Sequence, residues 1–99
     1  MKLLLIFLSE TDTHRELPLY EALVRKLNNR GVGGATVHRG MMGFGQGHHV
    51  HRDRLFGVSD DRPITILAAD TEERLRAAIP GLREIAPKIP MLLFDAEAL

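Results

Sequence analysis

The chain contains no cysteine among its 99 residues. Disulfides, thiolate metal sites and a cysteine nucleophile are therefore excluded. It also lacks a charge excess: 13 Lys and Arg stand against 13 Asp and Glu, a formal net charge of zero. General nucleic-acid binders and polybasic membrane anchors carry a basic surplus, so the balance argues against both. Zero net charge weakens repulsion between copies, which suits assembly. Long apolar runs are missing too. The N-terminal stretch MKLLLIFL stops at Leu8, and Glu10 and Asp12 follow at once. A membrane helix needs ~20 apolar residues, and a secretory segment needs a longer apolar core with a small-residue cleavage site. The expectation is a cytoplasmic protein that begins directly with a buried strand. There is no internal repeat, low-complexity stretch or linker, so residues 1–99 read as a single domain. With 44% hydrophobic residues there is enough for a core, although a chain this small is only modestly stable alone.

Periodicity supplies the elements. Lys2 to Leu8 is the continuous apolar run of a strand buried on both faces. Ser9 to Glu16 reads as a polar loop. Pro18 fits the first turn of a helix, and Leu17, Tyr20, Leu23, Val24 and Leu27 recur at helical spacing. Glu21 and Arg25 form an i,i+4 pair, and Gly31 suits the C′ position ending the helix. Gly34 to about Met42 reads as a second strand. Arg62 to Ala69 is a third, with Ile64, Ile66 and Ala68 on one side. Asp70 and Glu73 resemble a capping box opening a second helix, whose stripe is Leu75, Ala78, Ile79, Leu82 and Ile85. Pro80 and Gly81 fall inside that stripe and predict a kink or break. Pro90 to Phe94 is a last strand.

The order β-α-β-β-α-β predicts an α+β ferredoxin-like sandwich, a four-stranded antiparallel sheet with two helices on one face. Two helices cover only one face, yet the first strand is apolar on both. The uncovered side would expose apolar side chains, the mark of an interface, so a homo-oligomer packed through the open sheet face is expected. The alternative is a C-terminal tail, with Leu93, Phe94 and Leu99, folded over it.

One segment departs from this scaffold pattern. Val37 to Arg54, VHRGMMGFGQGHHVHRDR, holds four of the nine glycines, four of the five histidines, three arginines and one acid, Asp53. Glycines let backbone approach a ligand closely, and Arg39, Arg52 and Arg54 supply forked donors for phosphate or carboxylate. The segment lacks the lysine and serine or threonine of a P-loop and does not follow the first strand as a dinucleotide fingerprint would. Composition alone leaves a hairpin connection with bulges and an anion-binding loop both open, and the arginines tilt the choice to the latter. His48, His49 and His51, with His38 and Asp53 nearby, form a candidate divalent-metal set (Zn²⁺, Ni²⁺ or Cu²⁺). The plainer and favoured reading is a solvated loop whose histidines titrate near an ordinary value of about 6.5. Ser9, Glu10, Asp12 and His14 formally contain a Ser/His/Asp set, but no nucleophile elbow or oxyanion signature accompanies it. They read as an acidic loop capping the first helix, and no enzyme is expected.

Larger matches gather on the same stretch. Gly43-Phe44-Gly45-Gln46-Gly47-His48 is similar to the Gly-Phe-Gly-x-Gln-x-Gly-His sequence of PII signalling proteins, with Gln46 one place early. Pro18-Leu19-Tyr20-Glu21-Ala22, Gly34-Ala35-Thr36-Val37-His38-Arg39-Gly40 and Pro63-Ile64 resemble a PII-like family of unknown function, and the likeness covers essentially the whole chain. The resemblance implies a homotrimer with an adenine nucleotide (AMP, ADP or ATP) in each cleft between subunits. It also implies a loop that rearranges with ligand and docks on a target protein, a transporter or an enzyme. Carried over by position, Arg39, Gly40, Gly43, Phe44, Gly45, Gln46 and Arg54 would form the nucleotide site, with Arg39 and Arg54 on phosphate. The loop is shorter than in PII proteins and has no tyrosine, so uridylylation of the usual kind is not expected. Ala69-Asp70-Thr71-Glu72-Glu73 replaces the basic glycine-rich segment that follows the third strand in PII proteins, which puts AMP and ADP on a par with ATP.

Overall fold

In the computed structural model, residues 1–44 and 61–99 are described in full and residues 51–52 by their backbone. In chain order the elements are β1 (Lys2–Ser9), β2 (Thr13–His14), β3 (Leu17–Pro18), α1 (Leu19–Asn29), β4 (Ala35–Arg39), β5 (Met42–Gly43), β6 (His51–Arg52), β7 (Pro63–Asp70), α2 (Glu72–Ile85) and β8 (Met91–Asp95). The four main strands form one sheet in the order β4-β7-β1-β8, every neighbouring pair antiparallel. This is the expected ferredoxin-like α+β arrangement.

Alternation along the strands decides which face meets the helices. Leu4, Ile6 and Leu8 of β1 and Ile64, Ile66 and Ala68 of β7 pair across the ladder and are buried. They join Leu19, Leu23 and Leu27 of α1 and Leu75, Ala78 and Leu82 of α2 in one core. Each Leu or Ile side chain taken fully from water contributes roughly 1.5–3 kcal/mol, so this layer holds the helices on the sheet.

The ends of α1 follow from local chemistry. Gly31 has φ +81°, its N–H donates to the Asn28 carbonyl, and the Val32 N–H donates to the Leu27 carbonyl, both at 3.1 Å. This is a Schellman stop with glycine at C′, as the sequence predicts. The start differs. Pro18 is the N-cap rather than a first-turn residue, and Leu17 lies in β3, half exposed. Ser9 to Glu16 is not all loop, because β2 and β3 close a hairpin there. Its acids do not cap the helix with their side chains: the Asp12 carboxylate accepts the Ser9 N–H, and only the Asp12 main-chain carbonyl accepts the Leu19 N–H, at 2.7 Å.

Two expectations about α2 are corrected. Thr71, not Asp70, is the N-cap, and its hydroxyl accepts the Arg74 N–H at 3.3 Å. Asp70 instead ends β7 and is buried. Its carboxylate accepts the Gly33 N–H at 2.8 Å and the Thr71 N–H at 2.7 Å, fastening the α1–β4 turn to the sheet. Those two donors hold the Asp70 carboxyl below the ordinary carboxylate range. The helix also runs through Pro80 without a break. Its buried stripe lies on both sides of the proline, and Gly81 lets α1 come close. A Cβ at Gly81 would sit 3.1 Å from Arg30 Nη2 and 3.2 Å from Lys26 Cδ.

The other sheet face carries Leu3, Leu5 and Phe7 of β1, Leu67 of β7, and Leu92 and Phe94 of β8, as the ladder register requires. Phe7, Leu92 and Phe94 remain 37%, 54% and 42% exposed. The C-terminal tail does not cover them. Leu93 pairs with Leu4 on the helix side, and Leu99 is fully exposed. Among the described residues no helix is long and apolar enough to cross a membrane.

Candidate functional site

At one end of the sheet the chain enters and leaves the glycine-rich segment. The main ladder of β4 stops at the Arg39–Ile64 pair, so the second strand ends at Arg39 rather than near Met42. The reason is Gly40. Its N–H donates to the Pro63 carbonyl at 2.7 Å, and a Cβ there would lie 2.6 Å from Pro63 Cγ. No side chain fits that gap, so the backbone lies directly on the proline ring. Gly43 sits on the same ring with more room, a Cβ reaching 3.4 Å from Cγ. Beyond it β5 and β6 pair, Met42 with Arg52 and Gly43 with His51, so the segment leaves the sheet as a hairpin. Met41, Met42 and Phe44 are exposed at its base.

Arg39 lies on the helix side of the sheet, in a row with Ile64 and Leu8. Glu10 follows β1 two residues beyond Leu8. Arg39 Nη1 donates to Glu10 Oε2 at 3.0 Å, bridging the ends of β4 and β1 over the start of β7. The arginine side chain is 54% exposed and the glutamate 22%. Glu10 is fixed through its backbone, its N–H donating to the Arg62 carbonyl at 2.8 Å. Next to it, the Thr11 N–H donates to Asp61 Oδ1 at 3.2 Å, and Asp12 Oδ2 accepts the Ser9 N–H at 2.9 Å. The arrangement is a forked cation at a strand end, next to a glycine backbone. It suits a ligand with an anionic group.

Of the expected nucleotide-site residues, Gly40 and Gly43 meet the same Pro63 ring, with Arg39 preceding Gly40 and Phe44 following Gly43 in the chain. Gly45, Gln46 and Arg54 lie outside the described residues, as do His48, His49 and the His51 side chain. Among the described residues no group of three or more His, Cys, Asp or Glu is placed to hold a metal ion. His14 pairs with Leu17 in the β2–β3 hairpin, and the Asp12 carbonyl accepts the Leu19 N–H at the helix start. Two residues of the site went unread in the sequence. In the sequence Pro63 carries only the family likeness of Pro63-Ile64, and Glu10 reads only as part of an acidic loop. The register Ser9–Pro63 and Arg39–Ile64 brings them to the loop base, and register is not visible in a single strand.

The family model described as DUF190, uncharacterized ACR, COG1993, matches residues 1–98. The chain belongs to the DUF190 family. A curated relative, a UPF0166 protein of Aquifex aeolicus, is 33% identical over 82 residues, covering 83% of this chain and 78% of that protein. Among solved structures, CPII, a nitrogen regulatory PII-like protein from Thiomonas intermedia bound to ADP, AMP and bicarbonate, is 26% identical. Its TM-score is 0.63, over 94% of this chain and 80% of CPII. The divalent ion tolerance protein CutA1 from Ehrlichia chaffeensis has the same TM-score, 0.63, at 12% identity, over 99% of this chain and 82% of that one. At that identity CutA1 speaks for the fold alone. The PII-like superfamily resemblance read from the loop motifs therefore agrees with both family and fold.

Proposed function

We propose that this DUF190 protein is a non-enzymatic PII-like sensor that binds an adenine nucleotide (AMP, ADP or ATP) at clefts between three copies in the cytoplasm. The observation that carries the reading is the CPII likeness, since CPII is a PII-like protein with ADP and AMP bound. Arg39 at the loop base supports it, an exposed guanidinium on a fixed strand end beside Gly40. In this reading Arg39 takes phosphate, with Arg54 as its second cation. Gly40, Gly43, Gly45 and Gln46 bring backbone and amide groups to the ligand, and Phe44 offers an apolar surface. The apolar open face of the sheet joins the copies.

Signalling follows from unequal affinity. A nucleotide that binds one arrangement of the segment from Gly43 to Asp61 better than another shifts the population toward it. A target protein, a transporter or an enzyme, then recognises the favoured arrangement. Isothermal titration with AMP, ADP and ATP tests the reading, which predicts saturable heat with at least one of them. No heat from a folded trimer with any of the three overturns it. Arg39→Ala should weaken binding by ~1–3 kcal/mol, the scale of a hydrogen bond to a charged group.

A further inference from the structure

We propose that Glu10 is a built-in competitor for the anion at Arg39, and that it thereby sets which anions the site accepts. The proposal rests on the nucleotide reading for the identity of the ligand, but not for the competition itself. Glu10 presents to Arg39 the group an anionic ligand would present: Oε2 accepts from Nη1 at 3.0 Å. It does so on a frame tied by backbone hydrogen bonds. The Glu10 N–H is bonded to the Arg62 carbonyl at 2.8 Å, Arg39 closes the β4 ladder opposite Ile64, and the next residue, Gly40, is bonded to the Pro63 carbonyl at 2.7 Å. Exchanging Glu10 for a ligand is therefore a rotation of side chains, with no strand moving.

The hydrogen bond runs from Arg39 Nη1 to Glu10 Oε2. An arginine fork offers paired donors to a planar or tetrahedral anion, so a ligand that engages two nitrogens outcompetes Glu10. A small monoanion that makes one contact does not, because the tethered carboxylate acts at a high effective concentration. Glu10 thus selects for multiply charged phosphate groups over simple carboxylates. It also links ligand arrival to the loop base, since displacing it breaks the side-chain bridge between the ends of β1 and β4 while the backbone bonds hold.

Calorimetric titration of inorganic pyrophosphate at fixed ionic strength tests this on the parent chain, Glu10→Gln, Glu10→Ala, Arg39→Ala and the double variant E10Q/R39A. Glu97→Gln, a matched charge change beyond β8, is the control. Both Glu10 variants should bind roughly two- to fivefold tighter than the parent, the scale of a half-exposed ion pair. The gain should vanish in the Arg39→Ala background and be absent in Glu97→Gln. Glu10 variants that bind no tighter, a gain that survives Arg39→Ala, or pyrophosphate binding to none of the proteins overturns the proposal. ADP and AMP titrated into the same set separate the two readings. If pyrophosphate shows the Arg39-dependent gain while neither nucleotide binds, the competitor role stands and the nucleotide reading falls.

Discussion

Gly40 and Gly43 look alike in the sequence and differ in what surrounds them. At Gly40 an added methyl meets the Pro63 ring at 2.6 Å, a separation that forces the strand end apart. At Gly43 the same methyl meets it at 3.4 Å, an ordinary contact. Gly40→Ala should therefore lower the unfolding free energy by ~1–3 kcal/mol, while Gly43→Ala should change it by about 0.5 kcal/mol or less, both read from urea midpoints. A second residue-scale case is the turn between β2 and β3, where Arg15 has φ +48° and Glu16 φ +69°. Two-residue hairpin turns of this kind favour Asn-Gly, because left-handed backbone costs a side-chain residue ~1–2 kcal/mol. Glycine relieves that strain but adds entropy to the unfolded chain, so Glu16→Gly should raise stability by a net ~0.5 kcal/mol. Neither effect was legible beforehand. The glycines pointed to a special backbone, but Pro63 becomes their neighbour only through the pairing of distant strands, and Arg-Glu carries no turn signal.

At the scale of elements, Asp70 joins three pieces: the end of β7, the turn after α1 and the start of α2. Its carboxyl titrates below the ordinary value because Thr71 and Gly33 donate to the charged form. The sign follows from linkage. A group whose folded pKa is depressed stabilises the fold above its unfolded value, about 3.9 for aspartate, and loses that contribution as pH falls through the folded value. Asp70→Asn should thus be less stable than the parent at pH 6. Urea midpoints should converge below about pH 4, toward the acid side of the ordinary carboxylate value. A gap that stays constant down to pH 2 would refute the role. Element order and core faces were readable because apolar residues recur at periods of 2 and 3.6, and both helical stripes and β1 and β7 fall near the predicted bounds. The misses have physical causes. Of the kink or break expected at Pro80, the break does not occur, because packing on both sides carries the helix through it. The strand expected to run to Met42 is cut where Gly40 turns onto Pro63. The cap assigned to Asp70 belongs to Thr71, because a stronger tertiary bond claims the aspartate.

At the scale of the molecule, the two sheet faces tell different stories. One is sealed by helices. The other presents Phe7, Leu92 and Phe94 beside Leu3, Leu5 and Leu67, with no tail across them. The imbalance was visible in the sequence as a first strand apolar at successive positions, although the identity of the cover was not. A nucleotide pocket made by neighbouring copies needs that face to join chains, so assembly and binding stand or fall together. Native mass spectrometry of the purified chain with ADP reads both at once. The account predicts a mass of three chains carrying one to three nucleotides. A monomer that binds no nucleotide would contradict it.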